Sequence, residues 1–245
     1  ALKQGAQATD RFGYSLTDRF GFIASAIVTV TVTGINDLPV LDLNGAAAGV
    51  TTTVGFIEDA GAVTVAPAAL LTDPDDTLMN AASVQIQNAL DGAAELLQVT
   101  PVAPITALYN PATGVLTLSG EASVAAYRTT LARVAYLNNS QNPNTTPRVL
   151  VFTVRDQQAG NAAPVNATVT VARTDDPPVV TTTAGETAIV EGAAATRIDP
   201  GVTVTDVDNS DNFAGGGLAV TLLAGVKWDE LSIVAGNNVS VSGAN

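Results

Sequence analysis

The strongest constraint on the fold of this chain is an internal repeat. Residues 30–40, VTVTGINDLPV, align with residues 169–179, VTVARTDDPPV, at an offset of 139 residues. Each copy is followed by a Glu and, 15 residues after it, by an Asp-x-Asp triplet: Glu58, Asp73 and Asp75 after the first copy, and Glu191, Asp206 and Asp208 after the second. A strand that ends in an acidic, Pro-containing linker and recurs in tandem favours a row of similar modules over an enzyme with one unique site.

The apolar residues are of the kinds that favour strands. Hydrophobic residues make up 47% of the chain and aromatic residues only 4%, with Val, Thr and Ala dominant. Residues 27–33, IVTVTVT, alternate apolar residues with Thr, which is the period of a half-buried strand, and β-branched side chains suit a pleated surface. The sequence therefore predicts an all-β fold. One segment differs: Val124, Tyr127, Leu131 and Val134 have the spacing of a short helix of about two to three turns with one buried face.

The repeat divides the chain into three parts. Residues 1–40 hold two strands, predicted to be the C-terminal strands of a truncated module, and residues 41–178 form a complete module. The pair in 1–40 recurs at 150–154 and 165–171, and the turns between the strands contain Asp18 and Asp156. Residues 179–245 are the N-terminal part of a further module, because 230–234 and 239–243 resemble 95–99 and 116–120. Two explanations stay open: a segment of a longer array, and complementation between neighbouring chains that exchange strands.

Charge and composition exclude several functions. The chain has 23 acidic and 10 basic residues, for a net charge of −13, which argues against nucleic acid or an anionic membrane surface as a partner. It has no Cys and no His, so disulfides, Cys/His zinc sites and the usual nucleophile–base pairs cannot be built. No apolar run reaches the length that spans a bilayer. A pair of catalytic carboxylates stays possible by composition, but the acidic residues gather at module ends, so the prediction is a protein that is not an enzyme.

The acidic residues gather at the two module junctions. Ca²⁺ takes six to eight oxygen ligands from carboxylates, amides, carbonyls and water, and here they must converge from separate loops. The candidate ligands are Asn36, Asp37, Asp73 and Asp75 at the first junction, and Glu58, Asp175, Asp176, Asp206 and Asp208 at the second. The alternative is that these side chains cap turns through their own hydrogen bonds, as Asp and Asn often do. The repeated spacing favours a calcium site.

Three motifs resemble the cadherin-like repeats of large bacterial surface adhesins, including those known as VCBS repeats. They are residues 34–39 (GINDLP), 72–76 (TDPDD) and 114–120 (GVLTLSG), the last directly before the helical segment. The resemblance implies tandem Ig-like β-sandwich modules with ions held at the joints by a linker Asp, a following Glu and an Asp-x-Asp. The matching sets are Asp37, Glu58 and Asp73, and Asp176, Glu191 and Asp206. The Asp-Arg-Glu ligand segment of that family is absent from the middle of the complete module.

These observations predict a calcium-stiffened spacer or stalk segment of a bacterial adhesin, outside the cell at its surface. Its partners would be the neighbouring modules of the same protein, with surface glycans or other copies of the chain as further candidates. The alternatives are a subunit of an extracellular filament or surface layer, and a carbohydrate-binding module. A concave patch with Tyr14, Tyr109 or Trp228 exposed would favour sugar binding, whereas buried aromatic side chains would favour the spacer.

Overall fold

The computed structural model describes residues 1–208, 213, 216–224 and 231–232. Residues 239–243 and Trp228 lie outside the described residues, as do residues 230, 233 and 234 of the segment 230–234. The chain divides into two compact units, residues 1–177 and residues 178–245. Each is described by itself. Among the described residues, none of the helices has the length and apolar character that crossing a membrane requires.

The first unit opens with an antiparallel hairpin of β1 (Gln7–Thr17) and β2 (Ile23–Thr33). Asp18 shapes the turn by accepting backbone N–H bonds from Phe20 at 2.8 Å and Phe22 at 2.9 Å. The sequence predicts the two strands correctly, but its expectation that residues 27–33 form a half-buried strand is wrong. Every residue of both strands is exposed, because no other element of the unit covers either face.

The rest of the first unit is a β-sandwich with one short helix, as the sequence predicts. Its elements are β3 (Val40–Asp42), β4 (Thr52–Ile57), β5 (Val63–Thr64), β6 (Leu70–Thr72), β7 (Leu78–Ile86), β8 (Glu95–Gln98), β9 (Thr106–Asn110), β10 (Val115–Ser123), α1 (Val124–Leu131), β11 (Ala135–Asn138), β12 (Arg148–Asp156) and β13 (Val165–Ala172). Six strands form one sheet in the order β4-β13-β12-β7-β10-β9, and β5-β11-β8 and β3-β6 form smaller sheets. All pairs are antiparallel except β4 with β13, which is parallel.

The core lies between the six-stranded and three-stranded sheets. Strands β12 and β13 alternate buried and more exposed residues, the period-two pattern of a sheet with one covered face. Phe56 of β4 and Tyr136 of β11 meet edge to face across the core, with ring centroids 5.3 Å apart. Helix α1 begins after Ser123, whose hydroxyl accepts the N–H of Ala126, and it buries Tyr127 and Leu131 against the core.

A fully buried arginine at the start of β12 forms ion pairs with two acidic side chains. The guanidinium of Arg148 contacts Glu95 at 3.0 Å and Asp91 at 2.6 Å. It also donates to the backbone carbonyls of Asn144 and Thr146. The Tyr136 hydroxyl donates to Glu95 at 3.0 Å, so the buried carboxylate has donors on two sides. We refer to Arg148, Asp91 and Glu95 as the arginine cluster.

The second unit contains one described strand pair, β14 (Val179–Thr181) with β15 (Thr203–Thr205). Its register repeats that of the first unit: Val179 lies opposite Thr205 as Val40 lies opposite Thr72. The internal repeat therefore extends from sequence to strand pairing.

Candidate metal site

Three loops of the first unit bring acidic side chains to one place. They are the linker 34–39 after β2, the loop 73–76 after β6, and the turn 156–160 at the end of β12. One carboxylate oxygen from each of Asp73, Asp76 and Asp156 lies within 4.8 Å of the other two. Two oxygens that share a Ca²⁺ at about 2.4 Å each can lie at most about 4.8 Å apart. The three oxygens are therefore close enough to share one ion. We refer to these three residues as the aspartate cluster.

Asp73 acts both as a turn cap and as a member of the aspartate cluster. Its Oδ1 accepts the backbone N–H of Asp75 at 3.1 Å and of Asp76 at 2.7 Å, which fixes the loop. Its Oδ2 is buried and has no hydrogen-bond partner. The two interpretations of the acidic motif are thus compatible, because one oxygen caps the turn and the other stays available for a ligand.

Asp76 is the most unusual member of the aspartate cluster. Its side chain is only 4% exposed, and neither carboxylate oxygen has a hydrogen-bond partner of ordinary geometry. Burial raises the pKa of Asp76, and the nearby Asp75 and Asp156 raise it further, while Gln158 and Lys3 oppose the shift. A buried carboxylate without a partner destabilises the folded state, so binding of a proton or a cation at Asp76 would be favourable.

The linker supplies polar groups to the same site. Asn36 donates its side-chain N–H to Asp156 at 2.8 Å, and its Oδ1 is buried without a hydrogen-bond partner. The backbone N–H of Asp37 donates to Asp75 at 3.2 Å. These bonds attach the linker to both of the other loops.

Gly160 lets the turn close tightly on the aspartate cluster. Its N–H donates to Asp156 at 2.7 Å, and a Cβ at this position would collide with the side chains of Asp156 and Asn36. Burial also raises the pKa of Asp73, against the backbone bonds from Asp76 and Asp75 that lower it. The site is therefore compact and electrostatically strained as long as its carboxylates are charged.

The structure places all four predicted first-junction residues at this site: Asn36, Asp37, Asp73 and Asp75 lie in the linker and loop described above. Sequence reasoning did not include Asp76 and Asp156 among the candidate ligands. The recurrence of Asp18 and Asp156 in equivalent turns was the available signal, since a repeated turn acid next to a repeated acidic linker suggests a shared site.

The predicted second-junction residues of the first unit lie at a place other than the aspartate cluster. Glu58 follows β4, and Asp175 and Asp176 lie after β13 in the second linker, residues 173–178. Glu58 is 2% exposed and accepts the backbone N–H of Thr174 at 3.0 Å, and the Thr174 hydroxyl donates to the Glu58 carbonyl at 3.1 Å. Asp175 is exposed and Asp176 is half-buried. Glu58 thus holds the start of the second linker through Thr174.

In the second unit the Asp-x-Asp triplet forms the same turn as in the first. The N–H of Asp208 donates to Asp206 Oδ1 at 3.0 Å, as that of Asp75 donates to Asp73 at 3.1 Å. Glu191 is exposed in a turn. The calcium assignment of the second-junction residues stays a prediction.

The described aromatic side chains bear on the carbohydrate-binding alternative. Tyr14 is exposed on the hairpin, whereas Tyr109 is half-buried and its hydroxyl donates to the Glu95 carbonyl at 2.8 Å. Of these two, only Tyr14 offers a free aromatic face.

Comparisons with known proteins yield two likenesses. A stretch of 71 residues is 41% identical to halomucin of Haloquadratum walsbyi (strain DSM 16790 / HBSQ001), a match that covers 27% of this chain and 1% of halomucin. Among solved structures, the extracellular cadherin domains 1–4 of protocadherin gamma B7 match with a TM-score of 0.34 and 13% identity, over 82% of this chain and 41% of that one. A structural likeness of this size carries no conclusion by itself. No family model matches the chain.

Proposed function

We propose that this chain is a calcium-binding spacer segment of an extracellular adhesin, and not an enzyme. The observation that carries the proposal is the buried Asp76 carboxylate, which has no hydrogen-bond partner of ordinary geometry and lies beside Asp73 and Asp156. Three carboxylates at this distance repel one another unless a cation or protons neutralise them.

The ligand chemistry favours Ca²⁺. All available groups are oxygen donors from Asp and Asn side chains, and the chain has no His or Cys to hold a softer metal. The Asn36 Oδ1 and Asp73 Oδ2 atoms are buried without hydrogen-bond partners and are suited to complete the set. Ca²⁺ tolerates irregular sites built from loops, whereas Mg²⁺ demands a near-ideal octahedron.

The placement of the ligands explains how an ion would stiffen the chain. Asn36 belongs to the linker, Asp73 and Asp76 to the loop after β6, and Asp156 to the end of β12. An ion bound by all three segments would fix the linker to the sandwich, and a repeated module with fixed linkers makes a stiff spacer. The halomucin match supports a place in a very long protein, because 71 matched residues make up only 1% of it.

Thermal unfolding with excess EDTA and with 10 mM Ca²⁺ tests the proposal. Extracellular modules bind Ca²⁺ with a Kd of roughly 10⁻⁴ to 10⁻³ M, so 10 mM Ca²⁺ should stabilise the fold by at least about 1.4 kcal/mol. For a unit of this size the melting temperature should rise by roughly 3–6 °C. Asp76→Asn should abolish the rise, yet it should leave the protein at least as stable as wild type in EDTA, because it removes an uncompensated buried charge.

Asp42→Asn is the matched control. Asp42 caps a turn by accepting the N–H of Asn44 at 2.8 Å, as Asp73 caps its loop, but it lies outside the aspartate cluster. This variant should lose stability equally with and without Ca²⁺ and keep the full calcium response. An unchanged wild-type melting temperature in Ca²⁺ would refute the proposed site, and so would a calcium response that survives in Asp76→Asn.

A further inference from the structure

The residues assigned so far to the aspartate cluster supply fewer ligands than a calcium ion takes. Asp73, Asp76 and Asp156 each place a carboxylate oxygen within sharing distance, and Asn36 adds its buried Oδ1 from the linker. Counting both oxygens of Asp76, these four residues supply five ligand atoms. Ca²⁺ takes six to eight. Water can fill part of the remainder, and a further protein oxygen beside the cluster would be a candidate for the rest.

Gln158 holds such an oxygen. The residue is half-buried and lies in the turn 156–160 between Asp156 and Gly160. Burial raises the pKa of Asp76, and the Gln158 amide faces that carboxylate and acts against the rise. The two polar atoms of the amide, Oε1 and Nε2, are bonded to the same carbon, so Oε1 also lies near Asp76. Oε1 is buried and has no hydrogen-bond partner.

Asn36 shows the same arrangement on the linker. Its side-chain N–H donates to Asp156 at 2.8 Å, while its Oδ1 is buried without a hydrogen-bond partner. A buried amide oxygen without a partner lowers the stability of the folded state. Two amides from separate segments thus direct their N–H groups at carboxylates of the aspartate cluster and leave their oxygens unpaired. A cation bound among them would satisfy both oxygens.

Asp75 also has a buried oxygen without a hydrogen-bond partner, its Oδ2. However, Asp75 lies outside the aspartate cluster, and its Oδ1 accepts the N–H of Asp37 at 3.2 Å. A fourth carboxylate would also add repulsion to a site that already has three. An amide adds an oxygen ligand without adding charge, so Gln158 suits the remaining position better than Asp75 does.

We propose that Gln158 is a ligand of the calcium ion at the aspartate cluster, through its Oε1 atom. The inference rests on the proposed function, because it assigns one more ligand to the same ion. The turn 156–160 would then hold the ion with two side chains, the carboxylate of Asp156 and the neutral amide of Gln158.

Gln158→Glu distinguishes a ligand from a side chain that only packs. In EDTA the substitution removes the amide N–H and places a fourth carboxylate beside Asp76, so the melting temperature should fall below that of wild type. In Ca²⁺ the added charge should tighten binding, because affinity depends on the charge of the ligand set. The calcium-induced rise in melting temperature should therefore exceed that of wild type. A packing role would lower the melting temperature equally in both conditions.

Gln158→Met keeps most of the side-chain volume and removes the oxygen. The Kd for Ca²⁺ should increase by roughly tenfold, the size of effect that follows removal of a supporting group from a metal site. Gln157→Met is the matched control. Gln157 is the exposed neighbour, its amide donates to Glu121 at 2.9 Å, and it should keep the wild-type Kd.

An NMR titration of ¹⁵N-labelled protein with Ca²⁺ measures these affinities at the site itself. The N–H of Gly160 donates to Asp156 at 2.7 Å, so its resonance should report ion binding in every variant. In the wild type, the side-chain NH₂ resonances of Gln158 should shift with the same Kd as that of Gly160, and those of Gln157 should not shift. The same spectra show whether each variant is folded.

The outcomes separate the site from the role of Gln158. A wild type whose Gly160 resonance does not respond to Ca²⁺ would refute the proposed function, and the role of Gln158 with it. A responsive wild type beside a Gln158→Met variant of unchanged Kd would overturn the role of Gln158 alone. An equal loss of stability in EDTA and in Ca²⁺ for Gln158→Glu would overturn it too, and this variant provides the test if Gln158→Met does not fold.

Discussion

Strand β12 carries a cluster of charged residues at each end, and the two clusters differ in the countercharge that the protein supplies. At its first residue, Arg148 contacts Asp91 and Glu95 within 3.0 Å, and the protein itself supplies the cation. At its last residue, Asp156 lies beside Asp73 and Asp76, and no arginine contacts them. The first arrangement has its cation within the fold, whereas no ion pair reaches the three aspartates of the second in the part of the chain that the structure describes.

We therefore expect the stability of the fold to depend on solution conditions at one end of β12 and not at the other. The two ends of β12 are eight residue steps apart, or roughly 26 Å, so substitutions at the two clusters should act independently. The arginine cluster should set a baseline stability that calcium does not change. The aspartate cluster should make stability depend on calcium and pH.

Arg148→Met should have the largest effect. It removes the guanidinium and leaves Glu95, which is 0% exposed, without its ionic partner, and breaking a buried pair typically costs about 3–5 kcal/mol. Urea unfolding should show the same loss in EDTA and in Ca²⁺. Arg155→Met, at an exposed position of the same strand, should change the free energy of unfolding by less than about 0.5 kcal/mol. A loss that calcium restores would show that the two clusters are coupled.

The sequence predicts more of the fold than it predicts of the two charged clusters. Alternation of apolar residues predicts strands such as β12 and β13, and the 3-4-3 spacing from Val124 predicts α1, because both signals are local. Arg148 gives no such signal: arginine is almost always exposed, and its partner Glu95 lies 53 residues away in sequence. Asp156 joins Asp73 only through the pairing of whole strands, which a single sequence does not specify.

The exposed hairpin β1–β2 also shows what a local sequence pattern cannot predict. The period of two along β2 correctly predicts a strand with one apolar face. It cannot specify whether that face is covered, since coverage depends on which other strands are present. In the first unit no element covers it, and so the pattern predicts the strand but not its burial.

Gly160→Ala should have the next largest effect and should act on the aspartate cluster alone. The added Cβ would push Asp156 and Asn36 apart, and overpacking of this kind costs about 1–3 kcal/mol. The free energy of unfolding should fall, and the calcium-induced rise in melting temperature should be lost with it. Ala159→Gly is a suitable comparison, because Ala159 has a positive φ of 69° and glycine relieves that strain. A Gly160→Ala protein that retains the full calcium response would show that Asp156 is not a ligand.

A change of pH should have the smallest effect and should act through the aspartate cluster. Burial raises the pKa of Asp73 and of Asp76 in the folded state. The folded protein therefore binds these two protons more tightly than the unfolded chain. Their contribution to stability is fully present below the unfolded pKa of about 3.9 and is lost as the pH rises through the higher folded values.

In EDTA, lowering the pH from 7 towards 5 should therefore raise the free energy of unfolding, because protonation of Asp73 and Asp76 removes part of the penalty for burying their charges. In Ca²⁺ the same change should weaken binding, because protons compete for the ligand oxygens. The gap in melting temperature between Ca²⁺ and EDTA should narrow as the pH falls, by no more than the full calcium-induced rise itself. Asp76→Asn should reduce the pH dependence in EDTA, and an undiminished slope in that variant would assign the titration to carboxylates other than Asp76.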